Sequence, residues 1–191
     1  MSNVTIIGTG NMAQAISGIV TRGGGSVQLL GTEDVAQAVT GEIVVLAVPY
    51  PAVDEVLAQR GGQLDGRIVV DITNPLNFET FDSLVVPANS SAAQQIAAKL
   101  PGARVLKAFN TTFAATLAAG TVGPLTTTVL IAGDDTAAKE QLAAVVRAGG
   151  LNAIDAGALR RARELEAIGF LQLTLAASEK ITWTGGFGVA S

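Results

Sequence analysis

Histidine and cysteine are both absent from this chain of 191 residues. Without cysteine there is no disulfide, iron–sulfur cluster or thiolate zinc site. Without histidine there is no imidazole base, Ser-His triad or His-ligated metal, so no metal site is expected. Charge is sparse as well. Asp, Glu, Lys and Arg make up 15% of the chain, with a net charge of −4 and no basic cluster. That balance argues against nucleic acid and anionic membranes as partners. No apolar run is long and uniform enough to span a bilayer, and no basic region precedes the first apolar segment. The expectation is a cytoplasmic protein. Any catalysis must lean on a cofactor, on carboxylates, or on Lys and Tyr.

What is present is apolar material, 49% of the residues, arranged in short runs typical of parallel strands covered on both faces. The chain is organised around its first such run, Asn3-Val4-Thr5-Ile6-Ile7, which ends in Gly8-Thr9-Gly10-Asn11-Met12-Ala13. A strand, a Gly-x-Gly-x-x-Ala turn and an apolar helical pattern follow one another directly. That sequence of elements holds a dinucleotide pyrophosphate. Gly8 permits the tight turn, Gly10 has no Cβ to keep phosphates away, and Ala13 lets helix and strand approach. The free N–H groups and positive end of the helix then face the anion.

Further along, helix and strand patterns alternate. The first helix should end near Arg22, before three glycines, and Ser26–Leu30 reads as a second strand. At most two helical turns follow, to Val39. Strands are expected at Ile43–Val48, Arg67–Ile72, Arg104–Phe109 and Thr126–Ala132, with a short one around Asn152–Ile154. Helices are expected at Pro51–Leu57, from Ser91 to Leu100 behind a capping-box pattern, at Thr136–Arg147, and from about Ala158 to Lys180. Leu76–Asn89 has no period and reads as a functional loop. The tail around Trp183 and Phe187 is strand-like but broken by glycines. This pattern predicts an α/β fold: a Rossmann-type doubly wound, mostly parallel sheet with a small C-terminal helical and β extension. Residues 1–155 would form the dinucleotide-binding domain. Residues 156–191 would pack a helix and aromatic tail on the sheet or on a partner. Leu165–Ala177 is apolar on nearly all sides, so burial in a homodimer or under the tail is expected.

Five segments, in order and spacing, resemble the small NADP-linked reductases of the deazaflavin coenzyme F420 and the oxidoreductase domains of STEAP-type metalloreductases. They are Gly8–Met12, Val45–Tyr50, Asp71–Leu76, Ser91–Ala93 and Lys107–Thr111. The resemblance implies an NAD(P)-dependent oxidoreductase passing hydride between nicotinamide and a deazaflavin, flavin-like or related small-molecule acceptor. It implies cofactor contacts from Gly8, Thr9, Gly10, Asn11 and Met12. Ala47, Val48, Pro49 and Tyr50 would line the adenosine path, and Thr73, Asn74 and Pro75 would approach the nicotinamide. Leu76, Ala108, Phe109 and Asn110 would build the acceptor pocket. Members using NADP usually carry Gly-Ser-Arg after the second strand, where this chain has Gly31-Thr32-Glu33. Glu33 repels a 2′-phosphate and suits a ribose hydroxyl, so NAD stays open beside NADP.

Hydride transfer between two rings needs stacking and exclusion of water more than a proton donor. A site without histidine suits it. Should an acid be required, Tyr50, Lys107, Glu79 and Glu166 are the available groups, with Lys107 and Tyr50 the named candidates. Two rivals remain. One is a pyrroline-carboxylate-type imine reductase, whose opening motif is similar. The other is a non-catalytic dinucleotide-binding redox sensor. In an enzyme, Leu76–Asn89 and the aromatic tail should enclose a second pocket beside the nicotinamide; in a sensor that space would be filled or flat.

Overall fold

The computed structural model describes residues 2–31 and 33–190; Thr32, expected at the ribose end of the site, lies outside the described residues. Strands β1 (Asn3–Ile7), β2 (Ser26–Leu30), β3 (Ile43–Leu46), β4 (Ile68–Asp71) and β5 (Arg104–Lys107) run parallel. After a small hairpin, β6 (Thr121–Val122) and β7 (Leu125–Thr126), the chain re-enters the sheet as β8 (Thr128–Gly133) and β9 (Asn152–Gly157). β8 is antiparallel to β5 and parallel to β9, and the sheet order is β2-β1-β3-β4-β5-β8-β9. The expected doubly wound α/β sheet is present, with its direction reversed at β8.

Two apolar layers follow from the period of two along each strand. Val4, Ile6, Ile43, Val45, Ile68, Val70 and Leu106 point to one face, which is covered by α1 (Asn11–Arg22) and α5 (Thr136–Ala148). Ile7, Val44, Leu46, Val69 and Val105 point to the other, under α3 (Ala92–Lys99) and the segment before it in space, Leu159–Ala162. Ser91 caps α3 by accepting from the Gln94 amide at 3.1 Å, as its capping-box pattern anticipated.

Four features differ from the sequence expectation. Residues 33–42 contain no helix. Two arginines brace the crossover instead. Arg60, at the end of α2 (Val53–Arg60), donates to the carbonyls of Asp34 at 2.5 Å and Gln37 at 2.7 Å. Arg67 donates to those of Gly41 and Val39. Secondly, a helix that was not anticipated, α4 (Ala114–Ala119), occupies part of the Asn110–Thr126 interval; left-handed Gly120, φ 77°, ends it and the β6–β7 hairpin follows. Thirdly, the last helix is shorter: a 3-10 turn at Leu159–Arg161 precedes α6 (Ala162–Ala177), and residues 181–190 form no strand. Finally, β3, β4 and β5 end one or two residues early, because the chain leaves the sheet there to form the loops of the site.

α6 buries an unexpected face. Its buried residues include Glu166, Gly169 and Gln172, while Leu171 is half-exposed. The reason is an ionic centre beneath it. The Lys107 ammonium lies 2.8 Å from Asp71 Oδ2 and 2.9 Å from Glu166 Oε1, and donates to the Thr73 carbonyl at 2.5 Å. Its three donors are thereby used. Glu166 also accepts from the Ala92 and Ala93 amides at 2.9 and 3.3 Å, at the start of α3. Removing the cation would leave two buried carboxylates facing each other. Lys107→Met is therefore expected to cost about 3–5 kcal/mol in urea unfolding. A loss below about 1 kcal/mol would show that the centre does not hold α6 to the sheet.

Candidate functional site

The loops at the C-terminal ends of β1, β3, β4 and β5 lie side by side, and two cavities open among them. One, of about 290 Å3, is lined by Gly8, Thr9 and Gly10 from the first turn, Gly31 after β2, and Ala47 to Pro49 after β3. α2 adds Glu55, Gln59 and Arg60 to its wall, and these three residues had no role in the sequence reading. The other cavity, of about 420 Å3, begins where the first stops, at Asn11 and Met12. Its polar edge is Asn74, Asn110 and Thr112. Its apolar wall is Ile72, Phe113, Leu173 and Trp183.

The shared turn is tightly built. Gly8 adopts φ +120°, and a Cβ there would collide with the Ala47 carbonyl. Its amide extends the ladder by donating to Leu30 O at 2.8 Å, while Ala47 N donates to Ile7 O at 2.8 Å. Gly10 precedes α1 with open space where a Cβ would project. The first amides of α1, which follow directly, have no partner within the helix.

The polar edge of the larger cavity depends on one strained residue. Phe109 has φ +64°, a left-handed conformation that costs a non-glycine residue about 1–3 kcal/mol. Its ring is 2% exposed and sits in the core. The kink turns Asn110 into the cavity, where its amide donates to Asn74 Oδ1 and Leu165 O, each at 2.9 Å. Asn74 returns a bond to the Asn110 carbonyl at 2.9 Å. Gly169 of α6 lies against this pair; a Cβ on it would collide with Asn74 Oδ1. Asn110 Oδ1 and Thr73 Oγ1 are left buried with no hydrogen-bond partner, and such acceptors are few in native structures.

Several expected site residues stand elsewhere. Ala108 and Phe109 are core residues, and Leu76 is buried and pairs with Leu84; none of the three lines the larger cavity. Pro75 is buried and Thr73 caps the Asp71 carboxylate through its amide at 2.8 Å. Lys107 is fully buried in its ion pairs, out of reach of either cavity. Tyr50 turns its hydroxyl to Gln95 Oε1 at 2.6 Å; burial, then the Asp54 charge, push its phenol above the ordinary value. Burial likewise pushes the Glu166 carboxyl up, against the opposing pull of Lys107. Glu79 is exposed on the 76–89 loop. That loop does not wall the second cavity; the start of α4 does so instead, with Trp183 stacked obliquely on Phe113 at 5.1 Å. Phe187 lies outside it, its amide held by Gln172 at 2.9 Å. Glu33 is exposed beside Gly31, whose amide is taken by the Asp34 carboxylate at 2.7 Å. Among the described residues no helix is long and apolar enough to cross a membrane.

Comparison with known proteins bears on this geometry. The family described as NADP oxidoreductase, coenzyme F420-dependent, matches residues 25–75. The F420-dependent NADP reductase of Methanocaldococcus jannaschii is 31% identical over 149 residues, 76% of this chain and 66% of that protein. Metalloreductase STEAP3 of Rattus norvegicus is 38% identical over 112 residues, 59% of this chain and 22% of that one. The chain thus spans about a fifth of the metalloreductase and just under two thirds of the reductase. A crystal structure of a candidate F420-dependent NADP-reductase from Arthrobacter sp. FB24 superposes with a TM-score of 0.85 at 23% identity, covering 100% of both chains.

The two glycines of the turn should separate on substitution. Gly8→Ala should lose well over 1 kcal/mol of stability in thermal unfolding, because strain and a backbone collision coincide. Gly10→Val should unfold within about 1 kcal/mol of the parent. Equal losses would mean that Gly10 is packed rather than open.

Proposed function

We propose that this chain, which is similar over 76% of its length to an F420-dependent NADP reductase, is an NADP-dependent oxidoreductase acting on a deazaflavin- or flavin-like ring. The observation that supports this reading is the division of one turn between two cavities. Gly8, Thr9 and Gly10 face the smaller, and Asn11 and Met12 the larger. A pyrophosphate held on the α1 amides would have its two nucleoside halves directed into separate spaces. Bound there, the dinucleotide would supply or receive the hydride at its nicotinamide ring. The open space above Gly10 and the unpartnered Asn110 Oδ1 both fit such a ligand. Asn110 Oδ1 would accept from the carboxamide, while Asn74, held by Asn110, would fix the ring's edge. Met12, Ile72 and Leu173 would keep water from the reacting face.

At the ribose end the chain's own charges are mixed. Glu33 and the Asp34 carboxylate stand beside Gly31, where a 2′-phosphate would be repelled. Arg60 lines the same cavity, held by the Asp34 and Gln37 carbonyls, so its charge would offset that repulsion from the cavity wall. NADP is the cofactor of this reading, with NADH expected to compete. The half-exposed Leu171 and the largely apolar α6 support a homodimer as part of the same proposal.

The imine-reductase alternative is less favoured, because no titratable side chain lines the larger cavity and protonating an imine nitrogen calls for a placed acid. The open cavity beside Asn74 likewise supports an enzyme over a sensor.

Titration with NADPH and NADH should give micromolar binding of at least the former, and Gly10→Val should abolish it. Retention of binding by a folded Gly10→Val protein would remove the pyrophosphate from this turn. Glu33→Arg should raise the NADPH:NADH affinity ratio by about tenfold, or 1.4 kcal/mol. An unchanged ratio would place the 2′ group away from Gly31.

A further inference from the structure

We infer that Asp34 is a positioning residue for the smaller cavity: gripped by Arg60, it ties Gly31 to α2, and it does not itself bind the cofactor's ribose. The inference rests on the reading of this cavity as the adenosine end of a dinucleotide site, and it divides the roles of the charged groups there.

A crossover of about a dozen residues between parallel strands is usually a helix, which satisfies its own backbone groups. Residues 31–42 pass from β2 to β3 without one. The second half of this crossover is held from several places. Gln28 donates to Ala38 O at 2.9 Å and accepts from Thr40 N at 3.0 Å. Gln63 accepts from Val39 N at 2.8 Å, and Arg67 donates to Val39 O at 3.0 Å. The first half has a single support. Among the described residues, the hydrogen bonds that reach 33–37 from outside the crossover come from Arg60.

Three side chains close a ring there. Arg60, 3% exposed, spreads its guanidinium between the carbonyls of Asp34 at 2.5 Å and Gln37 at 2.7 Å. A rigid planar fork is suited to holding two acceptors at once. Gln37 returns its carboxamide to Asp34 Oδ1 at 2.5 Å and its backbone amide to Asp34 O at 2.9 Å. The other carboxylate oxygen, Asp34 Oδ2, accepts from Gly31 N at 2.7 Å. Gly31 and Arg60 both line the smaller cavity, one from the exit of β2 and the other from α2. The path Gly31–Asp34–Arg60 therefore joins two parts of its wall.

The same bonds decide what Asp34 can do. An acidic residue beyond the second strand commonly accepts from the ribose 2′-hydroxyl of a dinucleotide. Asp34 has that place in the chain, but each of its oxygens is already engaged by an N–H. Turning to a ribose would release Gly31 or Gln37. Glu33 stays exposed beside Gly31 and is the carboxylate left to meet a ribose hydroxyl or to repel a 2′-phosphate.

The experiment titrates NADPH and NADH by nicotinamide fluorescence into four variants, each first shown by urea unfolding to be folded. Asp34→Asn keeps the ring closed, because Gln37 can turn its carboxamide to accept; both dinucleotides should bind within about threefold of the parent. Asp34→Ala carries the same charge as Asp34→Asn but opens the ring. It should bind both about tenfold more weakly than Asp34→Asn does. Arg60→Met should weaken NADH about tenfold and NADPH at least as much. Gln37→Ala, at an exposed position, removes one side of the ring without touching the core and should weaken both about fivefold; it stands in should Arg60→Met fail to fold. Equal affinities in Asp34→Asn and Asp34→Ala would overturn the inference. A loss confined to NADH in both Asp34 variants would make Asp34 a ribose ligand and overturn it as well. So would an Arg60→Met protein that loses NADPH and keeps NADH, since Arg60 would then act by charge alone. A parent protein that binds neither dinucleotide would instead remove the reading on which this one rests.

Discussion

The site depends on one ammonium group. Lys107, at the end of β5, gathers the carboxylate that ends β4, the carbonyl of the next loop and a glutamate from α6. Burying one cation between two anions is not an efficient source of stability; an apolar trio of similar volume is often as good or better. What the arrangement supplies is position. Asp71 Oδ1 orders Thr73, and the residue after Thr73 is Asn74. Glu166 seats α6 so that Gly169 meets the Asn74–Asn110 pair. The two carboxamides that edge the larger cavity are therefore set by charges that never reach it.

Phe109 supplies the second constraint. A left-handed phenylalanine is held only because its ring is locked in the core, and the direction of Asn110 follows from that lock. Core packing and site geometry are thus one arrangement in this region. The oxygen of Asn110, buried without a hydrogen-bond partner, lies within the same arrangement.

Much of this was legible in the sequence because local chemistry and tertiary outcome agree there. The β-branched run, the glycines at 8 and 10, and the helix to Arg22 each specify their own conformation, and the fold honours them. The sheet's first five strands were readable as apolar runs for the same reason. What was illegible depends on partners distant in the chain. The crossover after β2 lacks a helix because Arg60 and Arg67 supply bonds from residues 18 or more positions beyond Glu42. α4 has six residues and no capping side chain, so it left no periodic signal. Lys107 and Tyr50 were candidates by residue type, and only their neighbours reveal that one is an ionic strut and the other a partner of Gln95. Gly169 and Gln172, inside an apolar helix, gave no sign that they face the site.

α6 carries these neighbours at fixed intervals. Glu166 binds the ammonium, Gly169 touches the carboxamides, and Gln172 holds the tail that presents Trp183. Each lies three residues from the next, about 4.5 Å along the axis. The helix thus works as a ruler, setting about 9 Å between the ionic centre and the anchor of the aromatic wall. A residue inserted between Glu166 and Gln172 would rotate the later contacts by about 100° and disengage the wall while leaving the charges in place. The same insertion in the turn before Ala162 would leave the spacing intact. Length variation along this lineage should therefore be confined to the joints of α6 and absent from its middle.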